Sequence, residues 1–331
     1  MNLETSFLGL RLRTPLVVSA SPLSADVENL KRMEDAGASA VVLDSLFAEQ
    51  LSVERSNIFH SLAEGTDSFS EAQSFFPVMN FPSGPEAYLE KIRKAKAAVS
   101  IPVIASLNGT HPGHWTGYSR EMEQAGADAL ELNIYDIPTD LDITSGQVEQ
   151  NYLDILAAVR SGTNLPLTIK IGPHITSLVN FANRLVKGGA RGLTLFNRFY
   201  QPDLDIELLE VKPHIILSTP QAMRLPLRWI AILHGRLPAT LSASGGIHEP
   251  QDVVKMIMAG ADVTMLCSVL LKHGISRIRK IEQGLIELME KLEYDSVAHM
   301  QGCMSYVKCE DPSIYERALY IKGLKNYKPL A

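Results

Sequence analysis

One lysine stands in the middle of an apolar segment. Lys170 follows Leu-Thr-Ile and precedes Ile-Gly-Pro. Such a side chain cannot easily reach solvent, and a buried ammonium group needs an anionic or electron-rich partner. Lys170 could form a Schiff base with a carbonyl substrate, or it could hold the anionic edge of a reduced flavin. The remaining alternative is a purely structural ion pair.

Two short segments could bind a phosphate group through their backbone N–H groups. Gly245 and Gly246 follow one apolar run, and Cys267 and Ser268 follow the next. In eight-stranded α/β barrels the loops after strands seven and eight commonly bind phosphate, beside a short helix N-terminus. We therefore predict a phosphate cradle at these four residues. The alternative is that the Ser-Gly-Gly-Ile segment is only a tight turn into a helix.

Two asparagines end other apolar runs. Asn133 and Asn197 carry short amides that can donate and accept hydrogen bonds at once, although either could instead cap the loop after it. His111 and His114 have a spacing that could suggest a metal site. No third ligand lies near them in the sequence, so we predict no bound metal.

A pair of arginines lies in the segment Met-Arg-Leu-Pro-Leu-Arg-Trp. Arg224 and Arg228 could hold an acidic substrate, because guanidinium groups bind carboxylates in a bidentate manner. They could equally make ordinary surface contacts. The sequence leaves both possibilities open.

The elements that position these residues recur with a clear rhythm. Short apolar runs alternate with amphipathic helical patterns, and four of the helices end in similar glycine–alanine turns before the next run. Eight runs of this composition are what a closed parallel sheet requires. We predict an α/β fold, a single (β/α)8 TIM barrel. The runs are residues 16–21, 40–44, 102–107, 129–133, 166–170, 192–197, 240–245 and 261–267.

The predicted barrel core covers about residues 14–275, and a C-terminal helical extension covers residues 276–331. Two longer segments, 46–84 and 134–149, follow the carboxyl ends of strands. Active sites of barrel enzymes lie at that face, so we predict that both segments are loops that cover a substrate.

Composition excludes several classes of protein. The chain has 331 residues, 46% of them hydrophobic and 21% charged, with a net charge of −6. No basic block suggests nucleic-acid binding, and no run approaches the roughly 20 apolar residues of a membrane span. The N-terminus lacks the pattern of a secretory signal, and the three cysteines form no CxxC pair. These features predict a globular cytoplasmic protein.

The strand-end residues together resemble the flavin-dependent dihydroorotate dehydrogenase family. They look more closely like its class 1 cytosolic branch and the related pyrimidine-reducing domain of dihydropyrimidine dehydrogenase. The similarity runs from about Thr14 to Gly274. It rests on the segments 126–133, 169–170, 197, 204–205, 244–247, 251–252 and 258–268 taken together.

The resemblance implies FMN as the cofactor. It implies that Lys170 lies near flavin N1, and that the residues after strands seven and eight bind the phosphate. Contacts to the cofactor are expected from Ala20, Ser21, Ser45, Asn133, Lys170, Asn197, Gly245, Gly246, Cys267 and Ser268. Substrate contacts are expected from Asn80, Asn108, Asn133 and Asn197. A homodimer is also expected, because class 1 relatives are often dimers.

Three departures from the family pattern affect the substrate side. The family motif Asn-x-Ser-Cys-Pro-Asn reads Asn-Ile-Tyr-Asp-Ile-Pro here, so Asp136 takes the place of the catalytic base. The family lysine that ends strand two is replaced by Asp44. The first asparagine of the family's substrate loop is lost from residues 77–83.

These observations predict an FMN-dependent oxidoreductase that transfers a hydride between the flavin and a small planar substrate, with an electron acceptor that the sequence does not identify. We expect little oxidation of dihydroorotate. Three alternatives remain: a genuine dihydroorotate dehydrogenase of pyrimidine biosynthesis, a Schiff-base lyase that uses Lys170, and a non-catalytic flavoprotein that relays electrons.

Overall fold

The barrel is built from eight parallel strands. A computed structural model describes residues 1–49, 85–111, 115–198, 200–212 and 215–326. The sheet closes in the order β3, β4, β6, β7, β8, β9, β12, β13 and back to β3. Each of these strands coincides with one of the eight apolar runs, although β6 and β8 each extend one residue beyond theirs, so the predicted (β/α)8 barrel is confirmed. The strands are β1 Thr5–Phe7, β2 Leu10–Leu12, β3 Leu16–Val18, β4 Ala40–Val42, β5 Leu46–Phe47, β6 Val103–Asn108, β7 Ala129–Asn133, β8 Leu167–Ile171, β9 Gly192–Leu195, β10 Asp203–Asp205, β11 Glu210–Lys212, β12 Thr240–Ser244 and β13 Val263–Leu266.

Helices surround the barrel and continue beyond it. They are α1 Val27–Asp35, α2 Pro85–Ala98, α3 Trp115–Gln124, α4 Ser145–Gly162, α5 Leu178–Lys187, α6 Arg224–Leu233, α7 Pro250–Ala259, α8 Ser268–His273, α9 Arg277–Lys291, α10 Val297–Met300 and α11 Arg317–Asn326. The last three form the predicted helical extension. The predicted limits of the barrel core, about residues 14–275, and of the C-terminal extension, residues 276–331, stay a prediction. Within the described ranges, no helix combines the length and the apolarity needed to cross a bilayer.

The barrel interior changes from apolar to polar along its axis. At the amino ends of the strands, the β1–β2 hairpin inserts Phe7 and Leu12 among Val17, Val42 and Ile104. Because side chains alternate along a strand, the residues two and four positions further on face the same interior. Those residues are polar in several strands. Apolar side chains therefore fill the barrel at the amino ends of the strands, and the polar side chains that could be functional lie at the carboxyl ends.

The turns between helices and strands follow the predicted glycine pattern. The glycines at 37, 126, 189 and 260 have φ values from 98° to 116°, a left-handed conformation that glycine adopts without a steric penalty. At Gly260 a Cβ atom would also collide with the ring of His234. These turns let each helix return directly to the next strand.

One predicted loop is shorter than expected. Helix α4 begins at Ser145, so residues 145–149 form its first turn and do not belong to the loop after β7. Thr144 accepts a hydrogen bond from the Gln147 backbone, and the Gln147 side chain binds back to Thr144. This Thr-x-x-Gln capping box was visible in the sequence. Of the other segment, 46–84, residues 46 and 47 form strand β5 beside β6, and residues 50–84 lie outside the described residues.

Candidate active site

Three predicted site residues lie side by side on neighbouring strands. Asn108 of β6 is in register with Asn133 of β7, which is in register with Lys170 of β8. Residues in register on parallel strands point to the same face, which here is the barrel interior. Asn197, after β9, donates from Nδ2 to the Asn133 Oδ1 atom. The structure thus brings these four residues together.

Lys170 lies beside a buried carboxylate. Its Nζ atom is 3.5 Å from Glu131 Oε1, and the two side chains are 8% and 0% exposed. Glu131 Oε1 has no hydrogen-bond partner among the described residues. The 3.5 Å separation is too long for a strong hydrogen bond, so the pair attracts through charge and leaves the ammonium N–H groups available to a ligand.

Hydroxyl groups hold the other oxygen of Glu131. Ser242 Oγ donates to Thr194 Oγ1 at 2.7 Å, and Thr194 Oγ1 donates to Glu131 Oε2 at 3.4 Å. Thr168 Oγ1 lies 3.1 Å from Thr194 Oγ1. All four side chains are completely buried. A chain of hydroxyls from three strands therefore fixes the carboxylate below Lys170.

Sequence reasoning missed Glu131, although a signal was present. Glu131 stands inside an apolar strand, two residues before Asn133. That spacing places both side chains on one face of the strand. A charged residue that faces a closed barrel needs a partner of opposite charge. Lys170 is the only lysine or arginine within the eight predicted strands.

The two glycines after β12 have different surroundings. Gly245 and Gly246 have φ values of 92° and 77°. A Cβ atom on Gly245 would meet no atom within 4 Å, whereas one on Gly246 would collide with the backbone nitrogen of Met223. Gly246 is therefore required by packing, and Gly245 borders open space.

A serine that sequence reasoning missed joins the two loops of the predicted phosphate cradle. Ser218 Oγ accepts a hydrogen bond of 3.3 Å from the Gly246 backbone N–H. The Ser218 backbone N–H donates to Ser268 Oγ at 3.1 Å. Lys272 Nζ donates to the Ser218 carbonyl oxygen at 3.4 Å. Ser218 is 50 residues from Ser268 in the chain, and no local pattern marks it.

The surroundings of Ser218 favour an anion. His248 Nε2 lies 3.4 Å from Ser218 Oγ. Burial lowers the pKa of His248, and the positive charge of Lys272 lowers it further. Hydroxyl groups, backbone N–H groups and one lysine are the groups that bind phosphate in proteins.

Cys267 connects the cradle with the lysine. Burial raises the pKa of its thiol, and the positive charge of Lys170 opposes that rise in part. The thiol is therefore neutral near pH 7, and the residue lies within electrostatic range of Lys170. Lys170 lies near the carboxyl end of β8, and Cys267 and Ser268 follow the carboxyl end of β13.

Asp44 does not present an uncompensated negative charge. Its carboxylate oxygens lie 2.7 and 2.8 Å from the Nζ atom of Lys91, which helix α2 provides. The expected reversal of charge at the end of strand two is therefore largely offset locally. The next residue, Ser45, has its hydroxyl 2.8 Å from the hydroxyl of Ser106 on β6. Lys91 lies 47 residues from Asp44, which explains why sequence reasoning missed it.

Asp136 lies half-buried in the segment after β7. Burial raises the pKa of Tyr152 to about 12, and the negative charge of Asp136 contributes to that rise. The neighbouring Tyr135 accepts a hydrogen bond of 2.9 Å from the Tyr200 backbone N–H. The segment after β7 is thereby tied to the segment after β9. The role of Asp136 as a base stays a prediction.

The remaining predicted residues have varied positions. Ser21 is buried at the start of the 3-10 helix Pro22–Ala25, and Ala20 packs on the interior cluster. Arg224 and Arg228 line a groove beside Tyr315 of the C-terminal extension. Asn80 and His114 lie outside the described residues. In the ranges that the structure covers, no cluster of three or more metal-binding side chains occurs.

Proteins of similar sequence agree on one family. The model of the dihydroorotate dehydrogenase family matches residues 2–289. The catalytic subunit of dihydroorotate dehydrogenase B (NAD(+)) from Pyrococcus abyssi is 26% identical over 308 residues, covering 91% of this chain and 98% of its own. Its counterpart from Methanothermobacter thermautotrophicus is 24% identical, with coverages of 91% and 97%. A putative dihydroorotate dehydrogenase A (fumarate) from Aeropyrum pernix is 30% identical over 194 residues, 56% of this chain and 62% of its own. Because the family model spans most of the sequence, this chain belongs to the dihydroorotate dehydrogenase family.

Proposed function

We propose that this protein is an FMN-dependent oxidoreductase that acts on a CH–CH or C=C bond of a small planar substrate. The observation that carries the proposal is the buried Lys170. Its ammonium group lies at the barrel mouth beside a fixed carboxylate and donates no hydrogen bond to the residues that the structure describes. Glu131 balances the charge, and the unused ammonium N–H groups favour a further acceptor from a ligand.

The two halves of the rim fit the two ends of FMN. Lys170 would hold the electron-rich edge of the flavin ring, where negative charge develops on reduction. Gly245, Gly246 and Ser268 would bind the phosphate, with Ser218 adding a hydroxyl group. The open space beside Gly245 leaves room for the cofactor to approach the backbone.

The protein's own residues would bind the substrate and remove a proton. When bound, FMN would supply the acceptor for a hydride from one substrate carbon. Asp136 would take the proton from the adjacent carbon as the C=C bond forms, which balances the two-electron oxidation. Asn108, Asn133 and Asn197 would orient the substrate by hydrogen bonds to its polar edge. Reduction of a C=C bond would use the same groups in reverse.

The substrate we propose is not dihydroorotate itself. The relatives are named for dihydroorotate. By the family resemblance, however, Asp136 stands in the position of the family's base, and this chain lacks asparagines of the family pattern. Each unpaired amide of a bound orotate would cost about 1–3 kcal/mol. The Asp44–Lys91 pair removes most of the additional penalty that a lone carboxylate would impose on an anion. The loss of hydrogen bonds is therefore the main reason for discrimination.

Family membership favours flavin chemistry over the Schiff-base lyase. The relatives from Pyrococcus abyssi and Methanothermobacter thermautotrophicus are catalytic subunits of NAD(+)-linked enzymes, a name that implies a further subunit in those proteins. We propose accordingly that electrons leave this chain through a partner protein or a small soluble acceptor. The compartment we propose is the cytoplasm.

The cofactor is tested with the purified protein. We expect a yellow protein that releases FMN on denaturation, and a Lys170→Met variant that retains much less FMN. Lys280→Met, at an exposed position on α9, is the matched control and should keep its flavin. A colourless protein whose melting temperature does not rise with added FMN would contradict the proposal. Anaerobic bleaching by dihydropyrimidines, dihydroorotate and NAD(P)H would then identify the reductant.

A further inference from the structure

Helices α6 and α7 and the C-terminal extension border a groove of about 600 Å³. Small-molecule sites in proteins have volumes of about 300–1,000 Å³ and combine apolar walls with a few polar groups. This groove, which we name the extension groove, meets both criteria. Its residues include Met223, Arg224, Leu227, Arg228, Lys255 and Tyr315.

The extension that forms one wall of the groove is anchored to both helices. The Tyr306 backbone N–H donates to the Ala231 carbonyl oxygen of α6 at 2.8 Å. The Met304 backbone N–H donates to the Met258 carbonyl oxygen of α7 at 2.9 Å. Tyr315 in turn donates its hydroxyl to the Met304 carbonyl oxygen. The family model ends at residue 289, so this wall lies beyond the part of the chain that matches the family.

The extension groove carries an excess of positive charge. Arg224, Arg228 and Lys255 are exposed, and none of them forms an ion pair or a side-chain hydrogen bond within the described part of the chain. Among the described lining residues, the one carboxylate is that of Asp252. Its Oδ2 atom already accepts hydrogen bonds of 3.0 and 2.9 Å from two backbone N–H groups just before α7. Three cations and one carboxylate leave two positive charges uncompensated.

The two arginines of α6 are arranged against the stability of the isolated helix. Arg224 and Arg228 stand four residues apart, so their side chains lie on one face of α6, and like charges at this spacing repel each other. Helix α6 contains no acidic residue, although the whole protein has a net charge of −6. A guanidinium group can hold a carboxylate or a phosphate by two parallel hydrogen bonds. An anion bound by both arginines would therefore replace their repulsion with attraction.

Apolar side chains line the same groove. Met223 and Leu227 come from α6 and the turn before it, and Tyr315 and Leu319 come from the extension. Leu319 is 46% exposed, so its side chain has apolar surface left to cover. A tyrosine ring packs well against a planar or apolar group. The groove thus fits a ligand that combines acidic groups with an apolar or aromatic body.

We propose that the extension groove binds a small organic dianion with an aromatic or apolar body, whose acidic groups contact Arg224, Arg228 and Lys255. The site is separate from the predicted phosphate cradle, because Met223 lies between the two. Met223 lines the groove, and its backbone nitrogen is the atom with which a Cβ on Gly246 would collide. The inference is independent of the cofactor and substrate proposed above.

Isothermal titration calorimetry on the full chain at low ionic strength tests the site. The protein is loaded with FMN and freed of the excess, so that the cradle is occupied; a protein that retains no FMN is titrated as purified. The probes are phthalate, a planar dicarboxylate, and AMP, a phosphate dianion with a planar base. Benzamide and adenosine are the uncharged controls. We expect at least one dianion to bind at least about tenfold more tightly than its control, which also identifies the acidic group as carboxylate or phosphate.

Variants locate the bound dianion. Arg224→Gln/Arg228→Gln should weaken its binding at least about tenfold, and Lys255→Met should weaken it several-fold, because each removes positive charge from the groove. Arg120→Gln, at an exposed position on α3, is the matched control and should bind the dianion as the wild-type protein does. Without ligand, the double variant should unfold at the same temperature as the wild-type protein or a higher one, because the like-charge pair is gone.

Two results would overturn the proposal. Failure of both dianions to bind at millimolar concentration would leave the three cations to an acidic macromolecule. Binding that the double arginine variant and Lys255→Met leave unchanged would place the dianion elsewhere, the cradle included. The arginine and lysine variants separate the groove from the cradle whether or not the protein holds FMN.

Discussion

The Nζ atom of Lys170 lies 3.5 Å from Oε1 of Glu131, and both side chains are almost completely buried. Two charges in a closed barrel stabilise each other only while both are present, because the survivor of a broken buried pair keeps its full desolvation cost. The pair is therefore a structural requirement of the protein as well as a feature of the candidate site.

Glu131→Gln should destabilise the protein by about 3 kcal/mol. The amide keeps the shape of the carboxylate and a hydrogen bond from Thr194, but it leaves the Lys170 charge without a counter-charge. Urea unfolding of cofactor-free protein measures the effect. In the double variant Glu131→Gln/Lys170→Met, the loss should be smaller than the sum of the two single losses. Additive losses would mean that the two side chains do not interact.

The two glycines of the cradle provide a matched comparison. Both have positive φ, so alanine is strained at either position. Gly245→Ala should cost about 1 kcal/mol from strain alone, because its Cβ would enter open space. Gly246→Ala should cost about 2–4 kcal/mol, because its Cβ would also collide with the Met223 backbone. Thermal unfolding of the two variants measures the difference; equal losses would contradict the packing described for Gly246.

His248 should make stability depend on pH. Burial, followed by the charge of Lys272, lowers its pKa, while Asp252 and the Ser218 hydrogen bond act in the opposite direction. The unfolded chain therefore binds a proton more readily than the folded protein below the ordinary histidine pKa of about 6.5. Stability is full above that pH and falls as the pH decreases through the lower, folded pKa.

A His248→Asn variant tests this dependence. Its free energy of unfolding should fall less than that of the wild-type protein between pH 7.5 and pH 5.5. His299→Asn is the control, because His299 is exposed at the surface beside Asp295. If wild-type and His248→Asn proteins lose the same stability over this range, His248 is not the group responsible.

Features that depend on neighbouring residues in the chain could be predicted from the sequence. The eight strands and their glycine turns follow from local apolar runs and backbone conformation, and Lys170 was conspicuous inside its strand. Ser218 and Lys91 could not be found in this way. Each acts through a contact between segments 28 or more residues apart, which depends on how the closed barrel brings distant loops together.

Glu131 is an intermediate case. Its position inside a strand was a local signal, and only the partner had to be found in space. Asp44 is the reverse case. The sequence singled out this residue, but it did not reveal that Lys91 pairs with its carboxylate. The net charge at the site therefore cannot be predicted from the residues at the strand ends alone, because helices contribute charges such as that of Lys91.

The Asp44–Lys91 pair leads to a prediction in which two variants have effects of opposite sign. The two atoms of the pair lie 2.7 Å apart, with side chains 29% and 15% exposed. Asp44→Asn would leave the Lys91 cation without its partner near the end of β4, whereas Lys91→Met would leave the Asp44 anion. One unpaired charge several ångströms from a ligand changes the binding free energy of an anion by about 1 kcal/mol after solvent screening. Orotate affinity, measured from the change in the flavin absorption spectrum, should therefore increase roughly fivefold in Asp44→Asn and decrease roughly fivefold in Lys91→Met.

Uracil is the control ligand, because it is neutral and planar and should bind equally to both variants. Changes of the same sign in the two variants, or equal changes for orotate and uracil, would show that the variants disturb the barrel and not the charge of the site.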